Sequence, residues 1–244
     1  MAAGPEDGVY LDSSDTPARR RFNRRALIFT GIGAGVYALS LIATIPAQLV
    51  VPIADASGTI WRGSAPLGGV NRVAWRWAPL RSLVQFGFAA DLIAEGPETS
   101  LAGRALLRPG SLRLDSVSGS ADGTLLGAVL KPSFACTLRM QIDFDHVKIG
   151  GASQGAEGRI RSGPGTCQAF GGQGPVSVPA LAFDMRQTPG LAVINLAAVG
   201  QPRTPFVMGG LDEAGKLQLI VTAEGAAALP FASTPGGMKV ETEL

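Results

Sequence analysis

Among its 244 residues this chain has one histidine, two cysteines and two tyrosines, and only 16% of its side chains are charged. Each shortage narrows the chemistry. With His146 alone, the most frequent general base and a frequent metal ligand has no second copy to work with. Cys136 and Cys167 are too few and too distant for a zinc cage, and their Cys-x30-Cys spacing is no redox motif. No phosphate-binding loop ends in Gly-Lys-Ser or Gly-Lys-Thr. The net charge of +2 carries no dense basic patch for nucleic acid, because the excess sits in five arginines near the start. These absences lead to the expectation of a protein that is not an enzyme, with no cofactor, no metal and no catalytic residue.

Those arginines, Arg19, Arg20, Arg21, Arg24 and Arg25, precede a run without charge from Ala26 to Ala54. About 20 apolar helical residues cross a hydrocarbon core of ~30 Å, so the run is read as a transmembrane helix over 26–47, following a cytoplasmic tail over 1–25. Basic flanks stay on the cytoplasmic side, which puts the tail inside and the body of the protein outside. A cleaved signal peptide shares the basic flank and apolar run, but Ala43-Thr44-Ile45-Pro46-Ala47 fits a cleavage site poorly. Within the run, Gly31 and Gly35 stand in the Gly-x-x-x-Gly spacing that lets two membrane helices approach, and glycine is also common in membrane helices generally.

Beyond the run, 33 glycines, 17 prolines and 6% aromatics describe a turn-rich β protein. Val73, Trp75 and Trp77 alternate with Ala74 and Arg76, and further strands are expected through Phe86 to Leu92, Leu101 to Leu107 and Leu112 to Leu114. The turn signal Arg108-Pro109-Gly110 separates the last two. Leu125, Leu126, Val129 and Leu130 fall at helical spacing ahead of Pro132, which predicts a short helix near 120–130. Leu138, Met140, Ile142 and Phe144 then alternate with Arg139, Gln141, Asp143 and Asp145, giving a dry face and a wet one. Later runs are Val176 to Met185, Leu191 to Val199 and Phe206 to Met208.

Two echoes suggest duplication: Gly58-Thr59-Ile60-Trp61-Arg62-Gly63 with Gly158-Arg159-Ile160-Arg161-Ser162-Gly163, and Gly110-Ser111-Leu112-Arg113-Leu114 with Gly215-Lys216-Leu217-Gln218-Leu219. The expected class is mainly β, an antiparallel domain of two related units over 53–135 and 136–232, forming a curved sheet or sandwich, with a loose tail over 233–244.

On an oxidising, exported side Cys136 and Cys167 pair as one disulfide, worth roughly 3 kcal/mol in the chain-entropy picture. Unpaired buried thiols are the alternative. Asp143, Asp145 and His146 are close in sequence, but strand neighbours point to opposite faces and would not converge on a metal without a bulge. Trp61, Arg62, Trp75 and Trp77 are the candidates for partner contact, or alternatively for core. The apolar strand face admits two readings, a covered core or an open groove for a lipid chain or a partner segment.

Taken in order, the arginine patch, the apolar helix, Ser57-Gly58-Thr59-Ile60-Trp61-Arg62-Gly63, Val73 to Leu80, Leu138 to Phe144 and the Gly-x-Leu-x-Leu strand from Gly215 resemble the type II secretion system protein N family. The acidic tail ahead of Arg19 is longer than that family's pattern. The resemblance implies a non-enzymatic, single-pass inner-membrane protein with a periplasmic β domain. It would act in protein secretion through contacts with other subunits, such as the secretin or the inner-membrane coupling subunit. The alternative is a lipid-binding or lipid-bridging periplasmic β-groove protein.

Overall fold

The computed structural model describes residues 24–49, 55–68, 70–125, 134–151, 153–170, 174–229 and 238–243, the backbone alone for 24–26 and 238–243. The chain divides into two compact units, residues 1–44 and 45–244.

The first unit contains α1, Arg24–Ala43. Leu27, Phe29, Ile32, Val36, Leu39 and Ile42 are all exposed on it. The expected span was 26–47, but the helix ends at Ala43, where Thr44 Oγ1 donates to the Ser40 carbonyl at 3.0 Å. Pro46 could not extend it, having no N–H to donate. Among the described residues no helix is long and apolar enough to cross a membrane. The uncharged helical stretch Ala26–Ala43 measures about 27 Å at ~1.5 Å per residue, short of a ~30 Å hydrocarbon core.

Alternating apolar and polar residues build the second unit. Its strands are β1 Ser57–Gly58, β2 Arg62–Gly68, β3 Asn71–Trp77, β4 Phe88–Glu95, β5 Ser100–Arg108 and β6 Ser111–Asp122. They continue as β7 Phe134–Thr137, β8 Arg139–Gly150, β9 Gly155–Ser162, β10 Gly165–Ala169 and β11 Val176–Val178. The last are β12 Leu181–Thr188, β13 Leu191–Ala198, β14 Pro205–Asp212, β15 Lys216–Val221 and β16 Met238–Glu243. Helices α2 Pro79–Gln85 and α3 Ala223–Ala228 lie between them, the latter capped by Thr222, whose side chain accepts from Gly225 N.

Thirteen strands form one antiparallel sheet, in the order β1-β2-β3-β4-β5-β6-β8-β9-β12-β13-β14-β15-β16. Short turns drive this meander. Pro109-Gly110 and Pro189-Gly190 each close a two-residue hairpin, with φ of +74° at Gly110 and +78° at Gly190, a conformation glycine adopts without cost.

A three-stranded sheet in the order β11-β10-β7 completes the fold. It arises from a bend in one long hairpin. β7 leads into β8 through Leu138, and β9 leads into β10 through Gly163-Pro164, so both arms turn together out of the large sheet. The pairing slips at the corner: Cys136 faces Cys167, whereas Met140 faces Ser162. An extra residue on one arm is what bends a hairpin. Cys167 and Val178 of the small sheet share a core with Met140 and Ile142 of the large one and with Leu138 at the corner between them. A second, small cluster joins Ala47, Ala56 and Ala65 with the partly buried Val73 and Trp75.

The expected dry and wet faces of residues 138–143 are present, with Leu138, Met140 and Ile142 buried and Arg139, Gln141 and Asp143 exposed. Other expectations need correction. Residues 120–122 belong to β6 rather than to a helix; residues 123–125 are helical, and the remainder of the expected helix lies outside the described residues. The run from Val176 to Met185 divides into β11 and β12 in different sheets, because Pro179 interrupts it. The stretch expected to be a loose tail includes β16, paired with β15 from Lys216↔Glu243 to Val221↔Met238. Both expected β units run through one sheet, joined where β6 pairs β8. Of the two echoes, Gly110 and Gly215 do sit alike, at hairpin turns with positive φ, but Gly58 ends β1 while Gly158 lies inside β9.

Candidate functional site

The apolar face of the large sheet follows from strand parity. Val73, Trp75 and Trp77 of β3 lie beside Ala94, Leu92 and Ala90 of β4, and β8 presents Met140, Ile142 and Phe144 beside Ser162, Ile160 and Gly158 of β9. β12 and β13 extend the face through Phe183, which pairs with Leu196. Where the small sheet overhangs it, a cavity of ≈ 330 Å³ opens between the layers. Its walls include Phe134, Met140, Ile160, Val178, Leu181, Phe183 and Leu196. The one hydroxyl there, on Ser162, already accepts from Leu181 N at 3.0 Å. With nearly all of its lining apolar, such a chamber offers mainly van der Waals contact, which suits a hydrocarbon chain or an apolar side chain.

Cys136 and Cys167 form a disulfide within the small sheet. Both line the cavity, so the link fastens one wall of it. On its far side Thr137 and Thr166 share a hydroxyl contact of 2.8 Å.

The tryptophans occupy one end of the sheet. Trp61 lies against Trp77, ring centroids 4.5 Å apart, and 6.1 Å from Phe88. Trp75 donates its indole N–H to the Ile60 carbonyl at 3.1 Å, and Trp77 donates its own to Ser82 Oγ at 2.8 Å. All three are half-buried, while Arg62 is exposed on the opposite face. These four residues, grouped from the sequence, are therefore near one another, but the arginine does not join the aromatic cluster. At the other end of β3, Asn71 is buried, donates to Thr124 Oγ1 at 3.0 Å, and leaves its Oδ1 without a partner.

The wet face carries paired charges: Arg139–Glu98, Arg159–Asp143, Arg161–Asp184, Arg81–Asp91 and Arg113–Asp115. Arg139 is held above its ordinary pKa, first by the hydrogen bond to Glu98 and then by that residue's charge. His146 lies within β8, opposite Asp115 and Glu157 in the ladder. Among the described residues no group of three histidine, cysteine, aspartate or glutamate side chains could hold a metal ion. Residues 151–155, Gly-Ala-Ser-Gln-Gly, do spell the Gly-x-Ser-x-Gly pattern of a nucleophile elbow. That motif needs a strand-to-helix turn, whereas here it joins two antiparallel strands, with Ser153 Oγ accepting from Lys148 Nζ at 2.6 Å. On α1, a Cβ added at Gly31 or Gly35 would meet nothing within 4 Å.

Phe134, Val178, Leu181 and Phe183 were not distinguishable in the sequence as cavity residues, because their convergence depends on the bend at Leu138 and Gly163-Pro164. Helix α2 was missed as well; Pro79, a residue suited to the first turn of a helix, was its only local signal. The chain matches no family model, no curated protein and no solved structure.

Proposed function

We propose that this chain is a non-enzymatic, membrane-anchored subunit of the type II secretion system, with its β unit in the periplasm and acting by strand and surface contact. The observation that carries the reading is the open first edge of the large sheet. β1 covers β2 only at Gly63 and Ser64, and no other described strand pairs along the rest of that edge. Unpaired edge backbone is a template for strand addition by a partner such as the secretin or the coupling subunit. Pro66 lies in that edge strand, where a missing N–H is tolerated. The anchor in this reading is α1. A helix somewhat shorter than the bilayer core is accommodated by local thinning and by snorkelling of flanking arginines, and Arg19 to Arg25 provide them.

The test is a photoreactive residue at Leu67 in the full-length protein, crosslinked in cells that run the secretion system. Adducts with the secretin or the coupling subunit are expected. Secretion of a folded substrate that is unaffected by deleting the protein, with no adduct to either subunit, would refute the proposal. The ≈ 330 Å³ apolar cavity supports a second reading, a lipid-bridging groove protein. Native mass spectrometry of the detergent-extracted chain separates the two by whether phospholipid or secretion subunits accompany it.

A further inference from the structure

Helix α2 is inside out. Ser82 faces the sheet, its hydroxyl bonded to the Trp77 indole, the Ala78 carbonyl and Ala89 N. Leu80, Leu83 and Val84, at the i, i+3, i+4 spacing of one helical face, are 80%, 74% and 76% exposed. Directly after the helix Phe86 is 88% exposed and sits at φ +49°, in the left-handed region that bulky residues avoid. A surface helix ordinarily turns its leucines inward. Four large apolar side chains projecting from one short segment mark a surface made to be covered.

We infer that this segment rests in the headgroup layer of a bilayer containing anionic lipid, holding the tryptophan end of the sheet at the membrane. Charge agrees. Arg108 clasps the end of the helix, donating to the Gln85 carbonyl, and beside it a depression of ≈ 330 Å³ gathers Arg81, Arg104 and Arg113 with Asp115 and Asp145; Arg81 and Arg113 are paired with Asp91 and Asp115, and Arg104 and Arg108 tip the balance at this end to positive. Arginines around an apolar tip are the pattern of interfacial membrane binding. Chain path agrees too. Ile45, the first residue of the β unit, accepts a hydrogen bond from Ile60 N, and Trp61 accepts one from Trp77 N immediately before α2 begins. The unit is therefore entered at the end that carries the patch. Exposed Leu107 and Leu191 belong to the hairpins of this same end.

This inference rests on the membrane-anchored reading above, and the experiment separates their failures. Full-length Leu83→Cys and Leu80→Cys proteins are labelled with an environment-sensitive fluorophore; both native cysteines are in the disulfide, so the new thiol alone reacts. Val70→Cys, at the turn between β2 and β3 on the opposite end, is the control. Each protein is reconstituted in phosphatidylethanolamine–phosphatidylglycerol vesicles and floated. The expected result is quenching at 80 and 83 by lipids spin-labelled near the headgroup, with a severalfold loss of iodide quenching relative to 70. A floated protein whose three labels are equally open to iodide overturns this inference alone. So does shielding from iodide without lipid quenching, which would mean a protein partner or a second copy covers the patch. A chain that does not float overturns the anchor and this inference together.

Discussion

Ser82 Oγ accepts the indole N–H of Trp77 at 2.8 Å, and this contact turns the polar side of α2 toward the sheet. The same oxygen accepts from Ala89 N at 2.9 Å. In Ser82→Ala both donors lose their partner, and unfolding free energy is expected to fall by about 1–3 kcal/mol. Urea denaturation followed by circular dichroism measures it, and a shift in tryptophan emission reports the freed indole.

Phe86 closes α2 with its backbone at φ +49°, where a helix normally places glycine. Because the ring is exposed, Phe86→Gly removes strain and no packing. Stability should rise by up to about 1 kcal/mol. A lowered thermal midpoint would show that the ring is held by contacts within the fold.

Gly96 is packed against the buried Asn71, and a Cβ at that position would overlap Asn71 Oδ1. Gly96→Ala is expected to cost about 1–3 kcal/mol, as overpacking does, by pushing Asn71 away from Thr124. The denaturant midpoint should drop while the slope stays unchanged.

Reducing the Cys136–Cys167 bond releases a crosslink of sequence separation 31. The chain-entropy estimate is about 3–4 kcal/mol. The small sheet forms one wall of the apolar cavity, so Cys136→Ser with Cys167→Ser should also increase binding of a hydrophobic dye under conditions where the large sheet persists. Equal stability of oxidised and reduced protein would contradict this.

Glu98 raises the pKa of Arg139, so whatever the pair contributes is complete below arginine's ordinary pKa and is lost only as pH climbs through the raised value. Both lie in strong alkali. Arg139 is fully exposed, and water screens the pair. Arg139→Gln should therefore leave the denaturation midpoint unchanged across neutral pH, which a set of melts in different buffers checks.

The β character of the chain, its hairpin turns and the two faces of β8 could be read directly from the sequence. Alternation is a local property: when Leu138, Met140 and Ile142 take every second place, the pleat alone puts them on one side. Pro109-Gly110 likewise sets its own turn, because the φ values it needs are those its two residues prefer. The cysteines pair, as expected for two thiols on an oxidising side, while the alternative of two unpaired buried thiols could be set aside only by the structure.

Tertiary structure decided the rest. One sheet or a sandwich depended on whether β6 would pair with β8, a long-range choice that no short window contains. Met238 to Glu243 reads as a tail by composition and becomes a strand because β15 offers it an edge. The cavity exists only because a slip in register bends one hairpin back over its own sheet. Finally, Leu80, Leu83 and Val84 have the spacing of a core-facing helix, and only the hydrogen bonds of Ser82 to the sheet turn them outward. Periodicity says which residues share a face; what that face meets depends on partners distant in the chain.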